Sequence, residues 1–279
     1  MSSRCVSPIT LKSGFHVPCG KCQGCVVRRA SGWSFRLMRE ERFARSAQFI
    51  TLTYAPENVC RSPVGRRLTL VKSHVQCFVK KLRRLSDRPG DIKYYAVGEY
   101  GTTFSRPHYH IVLFNSTPQD VSHSWQYGSV YYGTVTSDSV GYCLKYMSKE
   151  RTIPQYKADD RTPEFGLFSK GLGSNYVTPE TIAWHRDDLL GRMYIPIDGG
   201  KKIAMPRYYK DLIYTKAQRI LFQGLWDTQD RLVNKTSYQS NLPYIRFSSF
   251  KRLRTVEMGQ IAARNKMRAS FFLSRTSAF

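Results

Sequence analysis

No stretch of this chain is apolar over the roughly 18 residues that a membrane span needs, and none has the shape of a secretory core. The opening Met-Ser-Ser-Arg carries no targeting pattern, so the expectation is a soluble protein that stays in the cytoplasm where it is made. No internal repeat or low-complexity tract is present, which excludes solenoid and disordered-linker architectures. A Gly-x4-Gly-Lys-Ser/Thr segment is also missing, so no phosphate-loop motor is expected. Acidic residues are scarce, 20 against 44 Lys plus Arg. Seven Cys, an odd number without an export signal, exclude a full disulfide framework and leave reduced thiols or thiolate–metal sites.

What is there begins with charge. A formal net charge of +24 in 279 residues repels itself unless a polyanion neutralises it, and nucleic acid is the natural partner. The basic residues run the whole length, as a binding surface would, and 13% aromatic residues add faces for unpaired bases. The 41% hydrophobic content is that of a globular chain.

Val26, Ala30, Trp33, Leu37 and Ala44 recur at helical spacing and predict a helix over 26–44, decorated by Arg28, Arg29, Arg36, Arg39 and Arg42. Gln48 to Tyr54 alternates as a strand. Thr69-Leu70 reads as the cap of a second helix through Leu85, with Val75, Phe78, Val79, Leu82 and Leu85 on one face. Three strands follow, Ile92–Val97, His108–Phe114 and Tyr127–Val135, and then a short helix from Ser137 or Asp138 to Lys149. This order predicts an α+β fold, a central antiparallel meander with helices on one face. The expected organisation is a Cys-rich element with a basic helix over 1–46, a core over 47–150, and a basic region over 151–279 with one helix near 206–226.

Arg106-Pro-His108-Tyr-His110 is the most informative stretch. Alternation on a strand points His108 and His110 to one face, half of a divalent-metal site, and six His in the chain make such a pair rare by chance. A hard cation near phosphate also wants oxygen, and Glu99 ends the preceding strand, where a hairpin would set it beside the two rings. The expected ion is Mg²⁺ or Mn²⁺. Tyr142 and Tyr146 stand at i and i+4 on one helical face, with Lys145 and Lys149 adjacent. Eighteen Tyr make one such spacing ordinary. Its chemical meaning comes from the helix and the lysines: a phenol attacks phosphate when a cation polarises its target and an ammonium stabilises the charge. The plainer readings are an exposed His pair, a solvated Glu99 and tyrosines that pack.

Cys19-Gly-Lys-Cys22-Gln-Gly-Cys25, with Cys5 upstream and His16 nearby, has the knuckle spacing of tetrahedral Zn²⁺. An iron–sulfur cluster or free thiols are the alternatives. Cys60, Cys77 and Cys143 read as packing or incidental.

Together these motifs resemble the HUH replication initiators, and Tyr-x3-Tyr-x2-Lys resembles those of the small single-stranded DNA phages, the microviruses. Phe49-Ile-Thr51-Leu-Thr53-Tyr54 is similar to that family's first motif, Val97-Gly-Glu99-Tyr-Gly101 with Arg106-Pro-His-Tyr-His110 to its metal-binding stretch. The early Cys5 with Pro18-Cys-Gly-Lys-Cys22 also resembles those proteins. So do Ser169-Lys-Gly-Leu-Gly173 and Pro206-Arg-Tyr-Tyr-Lys-Asp211, without an assigned role. The resemblance implies metal-dependent nicking of a single-stranded origin, a 5′-phosphotyrosine intermediate shared between two tyrosines, and unwinding and synthesis by host helicase and polymerase. Arg28, Arg29, Arg36, Thr51, Thr53 and Arg106 are the expected DNA contacts, and Lys251, Arg252, Arg254, Arg264, Lys266 and Arg268 a further basic surface. The competing readings are a non-enzymatic zinc-containing nucleic-acid-binding protein and an HUH nuclease of plasmid or relaxase type.

Overall fold

The structure, a computed structural model, describes residues 5–145, 159–189 and 191–222. A small ladder, β1 (Ile9–Thr10) on β2 (His16–Val17), leads into α1 (Gln23–Phe43), the basic helix expected from the spacing. β3 (Ala47–Thr53) follows, then α2 (Lys72–Leu85), whose Val75, Phe78, Val79 and Leu82 are buried. Thr69 does not cap α2; its Oγ1 accepts from the Thr162 N–H at 2.9 Å. β4 (Lys93–Tyr100) and β5 (Pro107–Phe114) form the expected hairpin.

The third strand, β6 (Val130–Gly133), does not continue a meander. The five strands run β6-β3-β5-β4-β7, so β3 lies between β6 and the histidine strand. A helix missed in the sequence explains this. Thr117 caps α3 (Pro118–Ser124) by accepting from the Asp120 N–H at 3.2 Å, Pro118 opens it, and the chain turns past β5 onto the far edge of β3. α4 (Ser137–Lys145) is the start of the tyrosine helix. β7 (Phe165–Phe168) then closes the other edge of the sheet against β4, beyond the boundary expected at residue 150. Every pairing in this sheet is antiparallel.

Helices stand on both faces of the sheet rather than one. Ile50, Leu52, Ala96, Tyr109, Ile111 and Leu113 pack under α2 and α3, while Tyr95, Val97, Val112 and Phe114 pack under α1 and α4. The unbroken apolar run Ile111–Phe114 requires this, because a strand with both sets of side chains buried needs cover on both sides.

α5 (Pro179–Asp187), the hairpin β8 (Tyr194–Ile197) with β9 (Lys201–Ala204), and α6 (Arg207–Ile213) build a third apolar cluster around Tyr176, Ile195, Tyr209 and Ile213, closed by Phe35 of α1. The single helix expected near 206–226 is interrupted at Tyr214, and Thr215 with Gln218 makes a new reciprocal cap. Between the clusters lies Ser169–Gly173. Leu172 is buried with α1, its carbonyl accepts from Arg36 Nε at 2.9 Å, and the Gly173 N–H donates to Glu40 at 2.7 Å. Tyr209 adds a hydrogen bond to the Gly173 carbonyl at 2.8 Å. The two segments without an assigned role are thus the clamp that holds α1 on the sheet.

Candidate metal centre and its tyrosine

The register sets Glu99 directly opposite His108 and puts Val97 opposite His110. All three candidate ligands therefore share one sheet face, the face under α1 and α4. His108 Nε2 lies 3.4 Å from one Glu99 oxygen and His110 Nε2 lies 3.7 Å from the other. One donor atom from each residue falls within 4.8 Å of the others, a cluster of the size a single cation spans.

The outer ring nitrogens are occupied. His108 Nδ1 meets the Arg106 carbonyl at 3.1 Å and His110 Nδ1 meets Thr51 Oγ1 at 2.9 Å. A carbonyl only accepts, so His108 carries its proton on Nδ1 and turns the Nε2 lone pair to Glu99. Phe49, also on this face of β3, stacks on His110 with ring centres 5.7 Å apart, a contact the sequence reading missed. Burial, with His108 nearby as a second cause and against the pull of Glu99, pushes His110 down to about 4. The ring is thus neutral at physiological pH, as a ligand must be. Two neutral imidazoles and one buried carboxylate fit a divalent ion such as Mg²⁺ or Mn²⁺.

α4 lays Tyr142 across this cluster. Its ring stands edge-on to His110 with centres 5.0 Å apart and remains 41% exposed. Val140, Cys143 and Leu144 anchor the helix in the core beneath. Lys145 ends the described part of α4; Tyr146 and Lys149 lie outside the described residues, as do the basic residues from Lys251 onward.

At the amino terminus, Cys5, Cys19, Cys22 and Cys25 bring their sulfurs within 4.8 Å of one another. Cys22 Sγ is 3.8 Å from Cys5 Sγ, and Cys19 Sγ is 4.0 Å from Cys25 Sγ. These separations are too long for disulfides, whereas sulfurs about 2.3 Å from a tetrahedral zinc stand about 3.8 Å apart. The N–H groups of Lys21 and Cys22 donate to Cys19 Sγ at 3.5 and 3.3 Å, and that of Cys19 donates to Cys5 Sγ at 3.2 Å. Backbone hydrogen bonds from Cys22 and Lys21 lower Cys19, and those from Val6 and Cys25 bring Cys22 down to about 6. Burial pushes Cys25 up to about 12. Four clustered thiols that the backbone drives towards thiolate need a cation among them, so the donor set fits zinc.

The expected DNA contacts fall in different places. Arg29 is exposed, with Nη2 hydrogen-bonded to the Gly20 carbonyl of the cysteine loop, and Arg28 is half-buried. Arg36 is a correction: it is only 8% exposed, sandwiched 4.1 Å from the Trp33 ring centre and 3.9 Å from that of Tyr208. It belongs to the α1 clamp and not to a DNA surface. Thr51 is committed to His110, Thr53 Oγ1 donates to the Ser129 carbonyl at 3.2 Å, and Arg106 Nη2 donates to the Tyr54 carbonyl at 2.6 Å. Among the described residues no helix is long and apolar enough to cross a membrane.

Comparison with known proteins agrees with this geometry. The family described as Replication-associated protein ORF2 matches residues 47–151, the span from β3 through α4. The replication-associated protein ORF2 of Spiroplasma virus 4 is 30% identical over 261 residues, covering 81% of this chain and 80% of that protein. Replication-associated protein VP4 of Bdellovibrio phage phiMH2K is 25% identical, covering 71% of this chain and 68% of that protein. Replication-associated protein ORF4 of Chlamydia phage 1 is 26% identical, covering 71% and 54%. No solved structure matches.

Proposed function

The chain belongs to the replication-associated proteins of small phages, and from that membership we propose that it starts rolling-circle replication by nicking single-stranded origin DNA with Tyr142. The observation that carries the proposal is the Tyr142 ring 5.0 Å from His110, on the face that gathers Glu99, His108 and His110.

Glu99, His108 and His110 hold Mg²⁺ or Mn²⁺, which supplies polarisation of a phosphate oxygen. Thr51 and the Arg106 carbonyl orient the two imidazoles, and α4 delivers the phenol. Tyr142 Oη forms a bond to phosphorus as the bond to the 3′-oxygen breaks, and the phenolic proton ends on the released 3′-OH. The 5′-phosphotyrosine ester stores the bond energy, so a later 3′-OH can reverse the step and close a circle. Tyr146 is the second nucleophile that such a cycle uses, and Lys145 and Lys149 stabilise phenolate. Cys5, Cys19, Cys22 and Cys25 hold a structural Zn²⁺ that fixes the start of α1. The setting is the bacterial cytoplasm, where host helicase and polymerase extend the freed end.

The test is an adduct assay. The full chain is incubated with a randomised pool of single-stranded oligodeoxynucleotides and Mn²⁺, then resolved in SDS. We expect a DNA-linked species that disappears with EDTA and in the His108→Ala/His110→Ala double variant. A linked species of equal yield in the double variant contradicts the proposed role of the cluster.

A further inference from the structure

The metal face of the sheet continues past the ligands towards β6. Register places Thr51 opposite His110 on one side and opposite Tyr131 on the other, so the three residues form one row across three strands. Directly paired residues share a face, and the Thr51–His110 hydrogen bond shows which face this is. Tyr131 therefore stands on the metal side, two strand spacings, or about 10 Å of backbone, from His110.

Its surroundings differ from those of its neighbours. Tyr132, on the opposite face, hydrogen-bonds Ser122 and donates to the Pro118 carbonyl at 3.0 Å. Tyr127 stacks on His74 with ring centres 4.0 Å apart. Tyr131 is 63% exposed, and among the described residues it makes no hydrogen bond and no ring contact. An edge strand accepts tyrosine for its β-preference alone. That preference does not account for an unpartnered ring on the row that carries a metal ligand, in a chain with net charge +24.

We infer that Tyr131 is a stacking platform for a base of the single strand whose scissile phosphate sits at the Glu99–His108–His110 cluster. The inference rests on the proposed function and adds where the strand runs: from the cluster across Thr51 to the open β6 edge. The recognised group is the face of an unpaired base, so the platform favours single-stranded over duplex DNA and tolerates different bases. Tyr131 is a positioning residue here, and its hydroxyl is not required.

The experiment measures binding of the full chain to a fluorescein-labelled single-stranded oligodeoxynucleotide of mixed sequence at fixed salt. Tyr131→Ala is expected to weaken binding about tenfold, while Tyr131→Phe and Tyr131→Trp stay near the parent value. An unchanged melting temperature for Tyr131→Ala confirms that folding is intact. Oligonucleotides with one abasic position, moved along the strand, supply the second readout. At one position the abasic loss and the Tyr131→Ala loss should not add, because both remove the same stack. Parent-like binding by Tyr131→Ala overturns the inference, as does a Tyr131→Phe loss equal to that of Tyr131→Ala. A parent protein that binds single strands but never forms the SDS-stable adduct refutes the nuclease reading, whereas a nicking parent with an indifferent Tyr131 refutes only the platform.

Discussion

Thr51 and His110 face each other across β3 and β5 at hydrogen-bonding distance, 2.9 Å. This contact makes the threonine a support for a metal ligand, and its removal tests that role. Thr51→Val should weaken Mn²⁺ binding by about 10- to 100-fold in calorimetry, with Thr51→Ser close to the parent. His110 itself carries a pH dependence. Burial lowers its pKa from 6.5 to about 4, so the unfolded chain binds the proton more readily than the folded one. Its contribution is present above about pH 6.5 and is lost as pH falls towards about 4. In metal-free protein the melting temperature should fall across that window, and the fall should be shallower in His110→Asn. The ligands were legible in the sequence because strand alternation alone aligns 108 with 110, and a hairpin brings Glu99 opposite. Arg36 was not, because its partners Leu172 and Tyr208 lie far along the chain, and local spacing says nothing of them.

At the scale of elements, α1 is the member that both halves of the described structure share. Its Trp33 and Leu37 face the sheet, Phe35 faces the third cluster, and Glu40 joins Lys93 at 2.8 Å to Gly173. Gly173 has a φ of +74°, and a Cβ there would come within 2.9 Å of the Arg36 backbone. Gly173→Ala should therefore destabilise the protein by on the order of 2 kcal/mol in denaturant unfolding. The cysteine loop ties the start of the same helix. Chelation of zinc, or Cys22→Ser, should lower the melting temperature and leave a protein without one equivalent of metal by elemental analysis. Unchanged stability after complete chelation would remove the site from the account. Element type and limits could be read from periodicity for α1, α2, β3 and β5. Strand order could not, since it depends on α3 carrying the chain beyond β5, and the start signal at Thr117-Pro118 was overlooked.

Across the molecule, the charge excess, the two metal-fitting clusters and the similarity to phage replication-associated proteins converge on one kind of partner. What composition could express was the need for a polyanion. The path of that polyanion lay in the pairing of β6 with β3, which no local pattern announces. The most direct measurement is mass spectrometry of the DNA-linked peptide recovered from the Mn²⁺ reaction. The account predicts nucleotide attached through phosphate to a tyrosine of the 142–146 segment, with linkage to residue 142 lost in Tyr142→Phe. Attachment to a side chain elsewhere, or complete absence of a linked peptide from metal-loaded protein that binds the strand, would contradict it.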